Sequence, residues 1–102
     1  MKRALPILIL LLSSLLSTAA QIDPPLRVFV RAGVKTHGPG QHDHPRFLKD
    51  WTSLLGERGA KVDGAMDFPS ETQLEATDVL VMYAAEGGTI KPDQRASLAK
   101  FL

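Results

Sequence analysis

The stretch that most limits the fold runs from Arg27 to Pro45 and reads RVFVRAGVKTHGPGQHDHP. It opens as a strand, because Val28, Phe29 and Val30 are a compact β-branched and aromatic run. Gly33 breaks it. A polar loop then carries all three histidines of the chain, His37, His42 and His44, with Gly38-Pro39-Gly40 between the first two. At Pro45 a helix can begin, since the N–H that proline lacks would have no partner in a first turn. Strand, Gly-rich loop and helix, in that order, open an α/β unit. In open α/β sheets ligands bind outside the carboxyl ends of the strands, so this loop is the first place to look for a site.

The rest of the chain keeps the alternation. A helix is expected over about Pro45 to Arg58, capped by Asp43 or His44 and ended by Gly59 as a C′ glycine. Phe47, Leu48, Trp51, Leu54 and Leu55 recur at one-face helical spacing, which predicts that Trp51 packs against the sheet. Lys49, Asp50, Thr52, Ser53 and Glu57 fall mostly on other faces. Ala60 to Met66 reads as a weaker strand, Phe68-Pro69-Ser70 as a turn, and Glu71 to Ala76 as about one helical turn. Asp78 to Ala84, DVLVMYA, is the strongest strand. Glu86-Gly87-Gly88 leaves its carboxyl end. Pro92 opens a last helix whose buried face would carry Leu98, Phe101 and Leu102. Such alternation argues for a parallel sheet with crossover helices. The expectation is a partial flavodoxin-like α/β three-layer fold, with about three strands and two to three helices. The apolar helical pattern runs to Leu102 without a C-cap, which suggests a domain truncated at its C-terminus.

Ahead of this unit, Lys2 and Arg3 precede an apolar run from Ala4 to Leu16, and Ser17 to Gln21 supplies small residues at a cleavage position. This is the order of a secretory signal peptide over residues 1–20. The run is shorter than the roughly 20 residues of a membrane-spanning helix. Export to the periplasm or the exterior is expected, with membrane contact through the export signal only. Residues 21–26, with Pro24-Pro25, read as a linker, and 27–102 as one α/β domain. No cysteine occurs in the 102 residues, which excludes disulfides, a cysteine nucleophile and thiolate metal ligands within them. Full-chain charge is +1. No basic stripe is visible, so nucleic-acid binding has no electrostatic footprint.

Three readings of the H-x4-H-x-H cluster stay open. In the first, two imidazoles share a metal, since His42 and His44 would point the same way in an extended segment. In the second, the cluster contacts a small polar ligand. The plainest reading is a solvated loop with one histidine at the helix cap, and no metal site is assigned. Gly33, Gly38 and Gly40 form no dinucleotide fingerprint and no phosphate loop, so turn geometry accounts for them. The N–H groups of Gly87 and Gly88 can approach a ligand closely. Glu86, with Asp43, is a carboxylate at the same predicted edge and a candidate acid or base. The candidate ligand-binding residues are therefore His37, His42, His44, Glu86, Gly87 and Gly88.

The stretch T-H-G-P-G-x-H-x-H-P followed by F-L-x-x-W-x-x-L-L resembles the opening of ThuA-like domains, the trehalose-utilisation family. A-T-D-V-L-V-M-Y-A and then G-G-T-I-K-P-D-Q-R-A-S-L-A-K-F-L resemble that family's next strand and helix. The resemblance covers roughly Arg27 to Leu102 and implies the N-terminal part of a domain with a flavodoxin-like fold, similar to class I glutamine amidotransferases. It implies a role linked to sugar utilisation and a small-molecule, carbohydrate-derived ligand. It also implies that the region where amidotransferases hold their nucleophile would lie past Leu102.

Overall fold

A computed structural model describes residues 23–34, 37–85 and 90–102. Three strands, β1 (Arg27–Arg31), β2 (Lys61–Ala65) and β3 (Val79–Met82), form one sheet in the order β2-β1-β3. Both pairings are parallel. Three helices, α1 (His44–Glu57), α2 (Glu71–Glu75) and α3 (Pro92–Phe101), follow the strands in alternation. This is a parallel α/β sheet, and 2-1-3 is the order in which a flavodoxin-like sheet begins. The expected strands are longer than the ladders that form, Ala60 to Met66 by one residue at each end of β2 and Asp78 to Ala84 by one residue before and two after β3. Glu86, Gly87 and Gly88 lie outside the described residues, as do the expected signal peptide and the first residues of the linker.

The core sits on β1. Val28, Phe29, Val30 and Ala32 are buried, and Leu74 of α2 joins them. A central strand covered on both faces must be apolar on both. The strand closes at Gly33, whose positive φ of 60° suits a residue without Cβ. On one face α1 packs over β2 and β1. It lands on Gly64, where a Cβ would meet Leu48 Cδ1 at 2.7 Å, the Val30 carbonyl oxygen at 2.8 Å and Thr52 Cγ2 at 3.2 Å. On the other face Arg31, only 6% exposed, lies over the Phe68 ring at 5.7 Å. There α2 and α3 pack on each other.

Local chemistry defines the helix ends. The Asp43 side chain caps α1 by accepting from the Arg46 N–H at 3.2 Å. At the other end Ala60 N–H donates to Leu55 O (3.1 Å) and Gly59 N–H to Gly56 O (3.0 Å), with Gly59 at φ 90°. These two bonds make a Schellman motif around the expected C′ glycine. Ser70 and Gln73 close a reciprocal capping box on α2. Asp78 pins β3 to β1: its carboxylate accepts from the Arg27 backbone N–H (2.8 Å) and guanidinium (2.7 and 3.1 Å).

Three packing expectations are corrected. Trp51 is 42% exposed and does not face the sheet; it lies beside Phe47, with ring centroids 5.7 Å apart. Thr52, expected on another face, is turned inward over Gly64. The helix is thus rotated so that Leu48, Thr52 and Leu55 line its inner side, and the narrow slot over a glycine takes a threonine in place of an indole. In α3, Leu98 and Phe101 are half-buried, but Leu102 is 93% exposed, because nothing in the described residues packs beyond the last turn.

Candidate functional site

The loop from β1 to α1 is built from tight turns. Gln41 N–H donates to Gly38 O (3.2 Å), with Pro39 and Gly40 (φ 77°) between them. Proline first and a positive-φ glycine second is the sequence of a type II turn. Asp43, at φ −77° and ψ 81°, sits inside an i→i+2 bond from His44 N–H to His42 O (2.9 Å), which is an inverse γ-turn. His42 itself has φ 41° and is the non-glycine residue with positive φ among those described. A bulky side chain in that region is uncommon, and such strain concentrates at functional sites.

These turns separate the histidines. His42 is exposed and His44 is buried at 2% exposure. The extended arrangement, with both side chains pointing the same way, is therefore not formed. His44 is the first residue of α1, and its Nδ1 lies 2.9 Å from the Val34 carbonyl oxygen. A carbonyl only accepts, so Nδ1 carries the proton and donates. In the neutral ring Nε2 then holds a lone pair able to accept a proton or a hydroxyl hydrogen. His37 stands against His42 with ring centroids 4.7 Å apart.

Tyr83, which the sequence reading counted only as an apolar strand residue, completes the cluster. It follows β3, and its N–H donates to Arg31 O (2.9 Å). Register with Val28 and Val30 on β1 puts Val79 and Val81 on the α1 face, and alternation carries Tyr83 to that face too. Its hydroxyl lies 3.1 Å from His42 Nδ1. Its ring meets His44 edge-on at 4.8 Å and Phe47 at 4.6 Å. The clue lay in its place: the one hydroxyl-bearing side chain of DVLVMYA sits near the carboxyl end of the run.

His37, His42, His44, Tyr83, Ala84 and Ala85 line a cleft of about 240 Å³. It lies where β1 and β3, adjacent in the sheet, both end. Two larger hollows, about 620 and 520 Å³, involve Asp78, Arg27 and Lys61 near the amino-terminal ends of the strands. There the charges are engaged with each other, Arg27 with Asp78 and Lys100 with Glu71. Chemistry favours the smaller cleft. Among the described residues no group of three or more His, Cys, Asp or Glu side chains is placed to hold a metal ion. Asp43 is occupied at the α1 cap.

Comparison with family models, with curated proteins and with solved structures gives no match to this chain.

Proposed function

We propose that this chain is an exported ThuA-like domain that binds or processes a carbohydrate-derived small molecule at the carboxyl edge of its sheet. The observation that carries the reading is the cleft of His37, His42, His44 and Tyr83 between the ends of two neighbouring parallel strands. Folds of this kind bind ligands at that position. The strained backbone of His42 supports it. The T-H-G-P-G-x-H-x-H-P resemblance supplies the sugar. From the sequence, Glu86, Gly87 and Gly88 belong to the same proposed site. A cleft of this volume lies below the roughly 300–1,000 Å³ of ordinary ligand pockets, so it takes one ring or one polar group of a ligand.

The test is a histidine-resolved NMR titration with glucose, trehalose and glucuronate. Saturable shifts at His37, His42 and His44 with any of these sugars are expected. Shifts absent from all three histidines would refute the assignment. Export is tested separately, by mass spectrometry of the secreted or periplasmic protein, where a terminus at Gln21 is expected and an intact Met1 counts against it.

A further inference from the structure

We propose that Trp51 and Phe47 form a stacking platform for a second sugar ring beside the histidine cleft, so that the ligand of this site is an oligosaccharide and not a single sugar. The inference rests on the sugar-site reading above and deepens it. A cleft of about 240 Å³ takes one ring, and a longer ligand leaves it across the surface that adjoins it. That surface is aromatic. The Tyr83 ring, part of the cleft lining, meets Phe47 at 4.6 Å, and Phe47 meets Trp51 at 5.7 Å, with tilts of 40° and 37° between successive rings. The three rings make a row that starts in the cleft and ends on an exposed indole. Trp51 lies two helical turns past His44 on α1, about 10 Å along the helix axis. Each step between rings is close to the length of one pyranose unit.

The sheet explains why this row is open to solvent. α1 packs over β2 and β1 and turns Leu48 and Thr52 into the slot above Gly64. Phe47 and Trp51, one turn apart, then lean to the β3 side, where Phe47 reaches Tyr83. Val79, on the α1 face of β3, is exposed, as is Leu54 on the helix. A single exposed leucine or valine is ordinary, but a continuous apolar patch that includes an indole marks a binding surface. Its chemistry fits a sugar. A pyranose ring has a face of C–H bonds and a rim of hydroxyls. The C–H bonds seat on the negative face of an aromatic ring, and the hydroxyls turn to polar side chains at its edge. Asp50 and Arg46 supply that edge. They precede Trp51 and Phe47 in sequence, stand exposed on α1, and are joined by a bond of 3.2 Å from Arg46 Nε to Asp50 Oδ2. The carboxylate keeps lone pairs beyond the one that Arg46 takes, and the guanidinium keeps further N–H donors. The pair can therefore accept from one hydroxyl and donate to another.

Trp51 is the single tryptophan of the chain, so tryptophan fluorescence reports on this platform alone. The experiment titrates the full chain with glucose, cellobiose, cellotriose, maltose and maltotriose. It follows tryptophan emission and histidine NMR shifts together, with affinities from calorimetry. Glucose is expected to shift the histidines and leave the emission unchanged. The di- or trisaccharide of at least one series is expected to move both signals and to bind about tenfold tighter than glucose. In Trp51→Ala that gain should disappear, so that the disaccharide binds no tighter than glucose. Trp51→Phe keeps a ring and should keep most of the gain. Emission unmoved by every oligosaccharide, with affinities equal to that of glucose, overturns the platform and leaves the sugar site standing. Emission that responds while all three histidines stay silent detaches the platform from the cleft and overturns the two-ring ligand. No binding of any sugar overturns both readings. The full gain retained in Trp51→Ala overturns the role given to Trp51. Emission that moves with protein concentration and with no sugar gives the patch to a second copy of the chain and overturns the proposal.

Discussion

Gly64 gives the sharpest test of how α1 sits on the sheet. In Gly64→Ala the added methyl would lie 2.7 Å from Leu48 Cδ1 and 2.8 Å from the Val30 carbonyl oxygen. The leucine methyl can swing away. The carbonyl cannot, because Val30 is in the central strand, between Gly64 and Val81. Either β2 slides from β1 or α1 lifts. Overpacking of this size costs about 1–3 kcal/mol, offset by about 0.4–1 kcal/mol from the stiffer unfolded chain. A net loss of about 1–2 kcal/mol remains, or roughly 5–15 °C in Tm for a domain of this size. Gly56→Ala is the control. It lies in α1 with nothing within 4 Å of the new Cβ, and the same chemical change there should stabilise by about 0.5–1 kcal/mol. Urea melts of both variants, read at constant m, decide it. A Gly64→Ala protein as stable as the parent would show that α1 does not close on β2 through this glycine, and the helix phase derived from it would fall.

Trp51→Ala should cost about 1–2 kcal/mol, well under the about 3–5 kcal/mol of a fully buried aromatic, since the ring is 42% exposed; a loss of about 3 kcal/mol or more in the same melts would return it to the core. His44→Ala removes a buried ring and leaves the Val34 carbonyl without its donor. The expected loss is about 2–4 kcal/mol, and a loss below about 1 kcal/mol would mean that the loop does not depend on this bond. The Arg27 guanidinium, and next its backbone N–H, hold the Asp78 carboxyl at about 2, below its ordinary 3.8. A lowered folded-state pKa means that this contribution is present above pH 4 and is lost as pH falls through about 2. The stability gap between the parent and Asp78→Asn should therefore shrink between pH 5 and pH 2, and a gap that stays constant across that range would disprove the linkage.

The order of elements was legible because it is local. Pro45 and Gly59 bracket α1, the Phe68-Pro69-Ser70 turn precedes α2, and the apolar runs of β1 and β3 are too short and too β-branched to be helices. The phase of α1 was not legible. Phe47, Leu48, Trp51, Leu54 and Leu55 span an arc wide enough to turn either of two ways. The choice between them is made on another element, by Gly64 of β2. A glycine leaves room for close approach at one point only, and the helix turns Leu48 and Thr52 into it. That pushes Trp51 outward, against the preference its size suggests. No window of sequence around Trp51 contains this information.

The site divides the same way. Its histidines were visible as a cluster in one loop, and their place at the strand ends followed from chain order. Their unlike environments were not visible, because the γ-turn at Asp43 and the positive φ of His42 set the directions of the two rings. Tyr83 was missed because it comes from β3, and only the neighbouring of β1 and β3 brings it to His42. The consequence is a site divided between two kinds of support. His44 and Tyr83 are fixed by the fold, one through Val34 and the other through Arg31, Phe47 and the His44 ring. His37 and His42 stand exposed on turns closed by their own backbone bonds. A ligand at the proposed site would meet side chains held by the fold on one side and exposed imidazoles on the other. Substitution of the held pair should cost stability first, and substitution of the exposed pair should cost affinity with the fold intact.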